Sequence, residues 1–339
     1  MIWYKENNND IIISTRIRLA RNLSKYPFPN ALNPEQAKEA SELIEKSISN
    51  SNSTLAKNFK TYHIKDITEV EKQVLAEKHL ISPELLNKKD ASVMVSKDES
   101  MSIMLMEEDH IRLQVILGGF ELEKAYDLAS KVDDVIDENA KYAFDDEFGY
   151  LTSCPTNTGT GLRASIMMHL PALTLTDNMS RIISSAGSLG IAVRGLYGEG
   201  SKAYGCLYQI SNQVTLGLSE NEIIEKVKNI VNQISDRERE AREKLMQNNK
   251  DFLEDKLWRA YGTLKYARSI SSQEAKALIS DCLMGKNMGI INDIDENLIE
   301  LMILCEPASV ESRAQKRMTP EQRDKERASI IRKALKGNE

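Results

Sequence analysis

Up to about residue 218, short apolar runs rich in β-branched residues alternate with longer amphipathic stretches. Ile11-Ile12-Ile13, Ser92–Val95, Ser102–Met106 and Leu113–Leu117 read as strands because they are short and bounded by polar turn residues. The runs at 93–95, 102–106 and 111–117 follow one another through brief polar links, which predicts an antiparallel meander rather than helical crossovers. Helical spacing predicts helices over 34–49, with Asn33 as N-cap and Pro34 in the first turn, and over 121–140. After Ser219 the pattern changes. Ser219 and Glu222 form a capping box, and Ile223, Ile224, Val227, Ile230, Val231 and Ile234 recur at helical spacing. The charged run Asp236–Glu240 follows, and the remainder reads helical, with new starts at Ser271/Glu274 and at Thr319-Pro320-Glu321-Gln322. The fold class expected is α+β over 1–235, then a small all-α domain over 236–339, with the boundary near residue 236 inside a helix that can cross it.

Composition changes this picture little. A chain of 339 residues is long enough for a catalytic domain and a smaller companion, and 41% hydrophobic with 28% charged residues is ordinary for a globular protein. A net charge of −6 argues against an extended nucleic-acid surface. No apolar run approaches a bilayer span and the N-terminus lacks a signal-peptide pattern, so no membrane contact is expected and the expected location is cytoplasmic. Cys154, Cys206, Cys282 and Cys305 are scattered without metal-ligand spacing, which implies reduced thiols and no resident metal site.

The unusual feature is a set of arginines framed by apolar or glycine-rich sequence. Ser14-Thr15-Arg16-Ile17-Arg18-Leu19-Ala20-Arg21 follows a strand, and Glu107-Glu108-Asp109-His110-Ile111-Arg112 joins two strands. Cys154-Pro155-Thr156-Asn157-Thr158-Gly159-Thr160-Gly161-Leu162-Arg163-Ala164 reads as a glycine-rich loop opening a helix, and Arg194–Gly200 is a second such loop. Arg16 and Arg18 are two apart, so on an extended backbone they point to one side. Several fixed guanidinium forks suit a triphosphate, because phosphoryl transfer depends chiefly on positioning and charge neutralisation. Gly159–Ala164 also matches G-x-G-x-x-A, but the surrounding strands read antiparallel and Asp177 is poorly placed as the acidic partner, which disfavours a dinucleotide site. No Gly-Lys-Ser/Thr follows, so it is not a Walker A loop.

Together these four segments resemble the ATP:guanidino phosphotransferases, the phosphagen kinase family, over roughly residues 10–240. The resemblance implies an antiparallel sheet flanked by helices, with ATP as co-substrate and Mg²⁺ held through its phosphates. It implies that Arg16, Arg18, Arg112, Arg163 and Arg194 bind phosphate and that His79 lies beside the adenine. The nucleotide segments it implies are Ser14, Thr15, Arg16, Ile17 and Arg18; Arg163, Ala164, Ser165, Ile166 and Met167; and Arg194, Gly195, Leu196, Tyr197, Gly198 and Glu199. Where the family commonly has a second histidine, four residues after Arg163, this chain has Met167, with His169 two places later. His63 and His110 read as ordinary core or surface histidines.

For the acceptor, a guanidinium is a poor nucleophile until oriented and relieved of a proton. Glu108 and Glu199 match the family's paired glutamates, with Glu108 the first choice for the base. Cys154 matches its reactive cysteine, expected to tune activity and confer oxidation sensitivity. Small-molecule phosphagen kinases carry a helical domain ahead of the first arginine motif; here that motif begins at Ser14, so an open acceptor site suited to a protein-borne arginine is expected. This layout resembles the bacterial protein-arginine kinases. The resemblance extends to Arg323-Asp324-Lys325-Glu326-Arg327-Ala328, implied to bind phosphoarginine, with Arg323 and Arg327 sharing one helix face and Asp324 receiving the ligand guanidinium. It further implies allosteric control by phosphoarginine, a stress-response role marking proteins for an AAA+ Clp protease, and a heat-shock repressor and a zinc-containing activator as partners. A kinase of free arginine, or a silent phosphoarginine reader, are the alternatives. Apolar positions around Leu298, Leu301, Met302 and Leu304 suggest either a homodimer surface or ordinary core.

Overall fold

The computed structural model describes residues 2–5, 9–50, 58–196 and 203–336. The chain runs through β1 (Ile12–Arg21), α1 (Pro34–Ser49), β2 (Phe59–His63), α2 (Glu69–Glu77), β3 (Ser92–Ser96), β4 (Met101–Leu105), β5 (Ile111–Gly118) and α3 (Leu122–Asp137). A small hairpin, β6 (Phe144–Asp145) and β7 (Gly149–Tyr150), precedes β8 (Leu162–His169), α4 (Pro171–Leu175), α5 (Met179–Ser188), β9 (Ile191–Gly195) and β10 (Leu207–Asn212). Helices α6 (Glu220–Asn248), α7 (Lys250–Tyr266), α8 (Ser272–Asn287), α9 (Leu298–Leu304), α10 (Pro307–Ala314) and α11 (Pro320–Ala334) complete it.

Contacts group the chain into two compact units: Met1–Glu6, Ser14–Ile166 and Ser211–Lys228; and Asn7–Ile13, Met167–Ile210 and Asn229–Glu339. The expected boundary near residue 236 falls inside α6, the helix expected to be able to cross it. The helix runs on because its apolar stripe is unbroken: Ile223 to Ile234 is continued by buried Ala241 and Leu245, while in the charged run Asp236, Arg237, Arg239 and Glu240 face outward and Glu238 is buried, accepting from Ala172 N and Leu173 N.

In the first unit the strand order is β2-β3-β4-β5-β1-β8. The pairs β2/β3, β3/β4, β4/β5 and β1/β5 are antiparallel, and β3-β4-β5 form the meander that the short polar links predict. β1 is longer than the Ile11–Ile13 run suggests and carries the arginine motif itself. Its register sets Arg16 opposite Ile116, Arg18 opposite Gln114 and Ala20 opposite Arg112. Directly paired residues share a face, so Arg16, Arg18 and Arg112 all project from one side of the sheet. The other side presents Ile17, Leu19, Leu113 and Val115 to the core, each 2% exposed or less. There α3 packs on β5 with its Leu122, Ala125, Ala129, Val132 and Ile136 stripe, and α1 packs on α3. Asn33 and Gln36 close α1 with the expected capping box.

In the second unit, β8 ends beside β10 and β9, and helices follow. Of the apolar set Leu298, Leu301, Met302 and Leu304, the first three are buried and belong to the core, and Leu304 is half-buried. His169 is also interior. Its Nε2 lies 2.8 Å from Ser280 Oγ, and burial, then the charge of Arg242, pushes its pKa down to about 3. A folded pKa below the usual 6.5 means the unfolded chain binds the extra proton, so this site's stabilisation is complete above pH 6.5 and is lost as pH falls toward 3. His169→Gln is expected to remove up to ~1.4 kcal/mol per pH unit from the slope of unfolding free energy in that window. Urea unfolding of both proteins at stepped pH checks this; identical slopes would exclude a neutral buried histidine.

Candidate active site

Four of the five candidate phosphate-binding arginines gather in the first unit. The half-buried Arg18 guanidinium has its pKa pushed well below the usual range, first by burial and then by the charges of Arg16, Arg163 and Arg112; Glu107 opposes the shift. Arg18 Nε is buried and makes no hydrogen bond among the described residues. A cluster of cations that repel one another, with a donor unused, is a preformed polyanion cradle, since a bound anion relieves both deficits. Arg194 belongs to the second unit, exposed near the end of β9, with Gly195 and Leu196 beyond it. Tyr197, Gly198 and Glu199 lie outside the described residues.

The strand period sorts the rest of the nucleotide segments. Ser14, Arg16 and Arg18 share one side of β1, while Thr15 and Ile17 face the core; Thr15 Oγ1 donates to Gly119 O and accepts from Glu121 N, tying β1 to the start of α3. Residues 162–169 form a strand and do not open a helix, a correction of the sequence reading. The cause is alternation: Leu162, Ala164, Ile166 and Met168 are fully buried, and Arg163 and Met167 lie on the opposite face. Ser165 Oγ donates to Arg16 O across to β1.

The Glu107–His110 turn between β4 and β5 begins at Met106, whose φ of +59° lies in the left-handed region. Glu107 is buried, accepts from Ser82 Oγ and Glu108 N, and pairs with Arg112. Glu108 is 40% exposed at its side chain; its Oε2 lies 2.8 Å from Arg112 Nη2 and accepts from Asn157 Nδ2 at 3.5 Å. Arg112 therefore links the phosphate cradle to the candidate base. Cys154 is half-buried, with Sγ 3.0 Å from Thr156 Oγ1. Burial instead pushes the Cys282 and Cys305 thiols up to about 12, leaving them unreactive. His79 occupies the left-handed position after α2, at φ +61°; its carbonyl accepts from Gln114 Nε2, and its ring sits 5.4 Å from that of Trp3.

Two long-range pairings that hold these parts were not legible as site residues. Asp109, fully buried, accepts from Asn22 Nδ2 at 2.6 Å and Ser153 N at 2.7 Å, joining the Glu108 turn to β1 and to the Cys154 loop. Arg21, the third arginine of the β1 motif, has the opposite strand parity to Arg16 and Arg18. It pairs with Asp133 of α3 at 2.8 Å, donates to Thr160 O, and lies 3.5 Å over the Tyr150 ring. At Gly161 (φ +62°) an added Cβ would fall 2.5 Å from Arg21 Nη1 and 2.6 Å from Ala20 O. Gly161→Ala is thus expected to cost about 1–3 kcal/mol in strain. Because Arg163 is two residues away, the KM for ATP should rise as well; urea unfolding and initial rates check both, and an unperturbed variant would show that the backbone at Ala20 and Gly161 yields along with Arg21.

The comparisons with known proteins agree with this geometry. Residues 39–241 match the family profile "ATP:guanido phosphotransferase, C-terminal catalytic domain", and residues 250–339 match "Protein-arginine kinase McsB C-terminal domain". The chain is 44% identical to a protein-arginine kinase of Brevibacillus brevis, over 98% of this chain and 95% of the relative. Identity is 45% to one from Caldanaerobacter subterraneus (98% and 99%) and 46% to one from Halalkalibacterium halodurans (98% and 95%). Among solved structures, a lombricine kinase shares the fold with TM-score 0.60 and 24% identity, covering 69% of this chain and 68% of that one. The duplicated taurocyamine kinase of Schistosoma mansoni gives TM-score 0.61 and 23% identity over 78% of this chain and 38% of that one. Strand order, arginine cradle, glutamate turn and full-length similarity converge: the chain belongs to the ATP:guanido phosphotransferase family, among the protein-arginine kinases.

Proposed function

We propose that the protein transfers the γ-phosphate of ATP to arginine side chains of other proteins. The observation that carries this reading is the cluster of Arg16, Arg18, Arg112 and Arg163 with Glu108 bound to its rim through Arg112. The cradle holds the triphosphate in line with the acceptor, and its charges stabilise the equatorial oxygens of the transferring phosphoryl group. Glu107 and Glu108 are both engaged by Arg112, which fits Mg²⁺ carried on the phosphate oxygens. As the acceptor nitrogen forms its bond to phosphorus, the bond from phosphorus to the ADP oxygen breaks and Glu108 takes the nitrogen's proton. The name shared by relatives that match along nearly their whole length supports a protein acceptor. With ATP and Mg²⁺, label from γ-³²P-ATP is expected in an unfolded arginine-containing protein at a kcat/KM at least about tenfold above that for free arginine. Transfer to the free amino acid alone would reject the reading in favour of a phosphagen kinase.

The proposal includes a product-binding site at Arg323–Ala328, by which phosphorylated proteins act on the enzyme and are directed to an AAA+ Clp protease. Its support is the match of residues 250–339. Arg323 here pairs with Glu311 at 2.7 Å and Asp324 with Arg327 at 2.6 Å, so a phosphate at Arg323 exchanges with the Glu311 carboxylate. Lys325 is exposed on the same helix, Glu326 is half-buried, and Ala328 is interior.

A further inference from the structure

We infer that Trp3, ahead of β1, is a positioning residue for the base of the nucleotide: it holds the His79 turn at the margin of the arginine cradle, where the purine of ATP stacks. This inference rests on the reading that ATP is the phosphoryl donor, and it adds the residue that fixes the base subsite.

The turn lies on the cradle's side of the sheet. Gln114 is paired with Arg18 across β5 and β1, so the two share a face, and Gln114 Nε2 donates to His79 O at 2.8 Å. The residues that follow the turn agree. Leu80, Ile81 and Leu85 pack with Val93 and Met104, and Met104 is paired with Arg112. Along β5, leading away from Glu108, the order is Arg112, then Gln114 with Arg18 opposite, then Ile116 with Arg16 opposite. A triphosphate with its terminal phosphate at Glu108 directs its base away from that turn, toward the part of the face that Gln114 ties to His79.

His79 occupies a position that glycine fills at less cost. It follows the C-cap of α2 at φ +61°, with His79 N donating to Ala76 O and Leu80 N to Leu75 O. A histidine kept in left-handed backbone is held there by its surroundings and points to a side chain needed where it lands. Two side chains do the holding, each through one carbonyl. Trp3 Nε1 donates to Lys78 O at 3.0 Å, and Gln114 takes His79 O. One clamp thus comes from the cradle face and the other from the segment ahead of β1. Trp3 is buried, and the rings of Tyr4, Trp3 and His79 form a row with centroid spacings of 5.3 Å and 5.4 Å. The row starts in the interior and ends at half-buried His79, an aromatic wall that a purine extends by stacking.

The test sets ATP against inorganic tripolyphosphate, which offers the cradle a similar anion and no base. Trp3→Phe keeps a ring and deletes the N–H donor. In calorimetric titration with Mg²⁺ it is expected to weaken ATP binding about tenfold and to leave tripolyphosphate binding unchanged. His79→Gly, which relaxes the backbone and removes the ring, should give the same pattern. In initial-rate assays both losses should fall on the KM for ATP and not on kcat. Wild-type affinity for ATP in Trp3→Phe overturns the inference, as does equal weakening of both ligands in a folded variant, which would make Trp3 a prop for the whole unit. Should Trp3→Phe fail to fold, the emission of Trp3 itself decides in Trp258→Phe, where it is the one tryptophan left. A change on adding ATP that tripolyphosphate does not produce supports the inference, and the same response to both ends it. A wild type that binds neither ligand rejects ATP as the donor and this inference with it, whereas one that binds the two equally rejects the inference alone.

Discussion

Replacing Glu108 by glutamine is expected to slow phosphoryl transfer by about 10²–10⁴-fold, the range for losing a positioned general base. The change keeps the shape and the contact with Asn157 but removes the proton acceptor. Nucleotide binding should persist, because Arg112 is still held by Glu107, buried and within 2.9 Å. The loss therefore falls on kcat, with the KM for ATP little altered, the signature of an interaction made in the transition state. The neighbouring substitution is the control. Glu107→Gln touches a carboxylate that already serves Ser82, the Glu108 amide and Arg112. Its effect should appear in stability and in the KM for ATP as much as in turnover. Measured by γ-³²P transfer to an arginine-containing protein, wild-type turnover by Glu108→Gln would remove Glu108 as the base.

The contrast between these adjacent glutamates was only half legible in the sequence. Spacing sufficed for the face shared by Arg16 and Arg18, because a period of two is a local property, and for the caps at Asn33, Ser271 and Thr319, because a cap is decided within four residues. The segment after Gly161 misled for the same reason. A glycine loop followed by Leu-Arg-Ala-Ser reads as a helix start until β1 and β10 are present to hydrogen-bond it as a strand. What local pattern cannot carry is the pairing of Arg21 with Asp133, 112 residues away, or of Asn22 with Asp109, 87 away. Those contacts decide that the third arginine of the motif is a clamp and not a phosphate ligand, and that the Glu108 turn and the Cys154 loop share one anchor.

The C-terminal motif shows the same limit with a larger consequence. Four residues apart on α11, Arg323 and Arg327 look equivalent, yet their environments differ sharply. Arg323 is 26% exposed, whereas Arg327 is 1% exposed and donates to Cys305 O, Ile270 O and Asp324. It thereby ties α11 to the ends of α9 and of the segment leading into α8. Arg327→Ala is expected to destabilise this helical region by about 3–5 kcal/mol, since it leaves two buried carbonyls unpaired and opens a cavity. Urea unfolding followed by circular dichroism should show the drop, and a variant of unchanged midpoint would place the guanidinium outside the core. A loss of phosphoarginine binding in Arg327→Ala would thus be ambiguous between a missing ligand and a melted pocket. Arg323→Ala is the sharper probe of product binding. Its pair with Glu311 is partly exposed, so about 1 kcal/mol is the most its loss should cost. Calorimetric titration with phosphoarginine at the same temperature should then report a large fall in affinity with the fold retained; full affinity in that folded variant would remove Arg323 from the site.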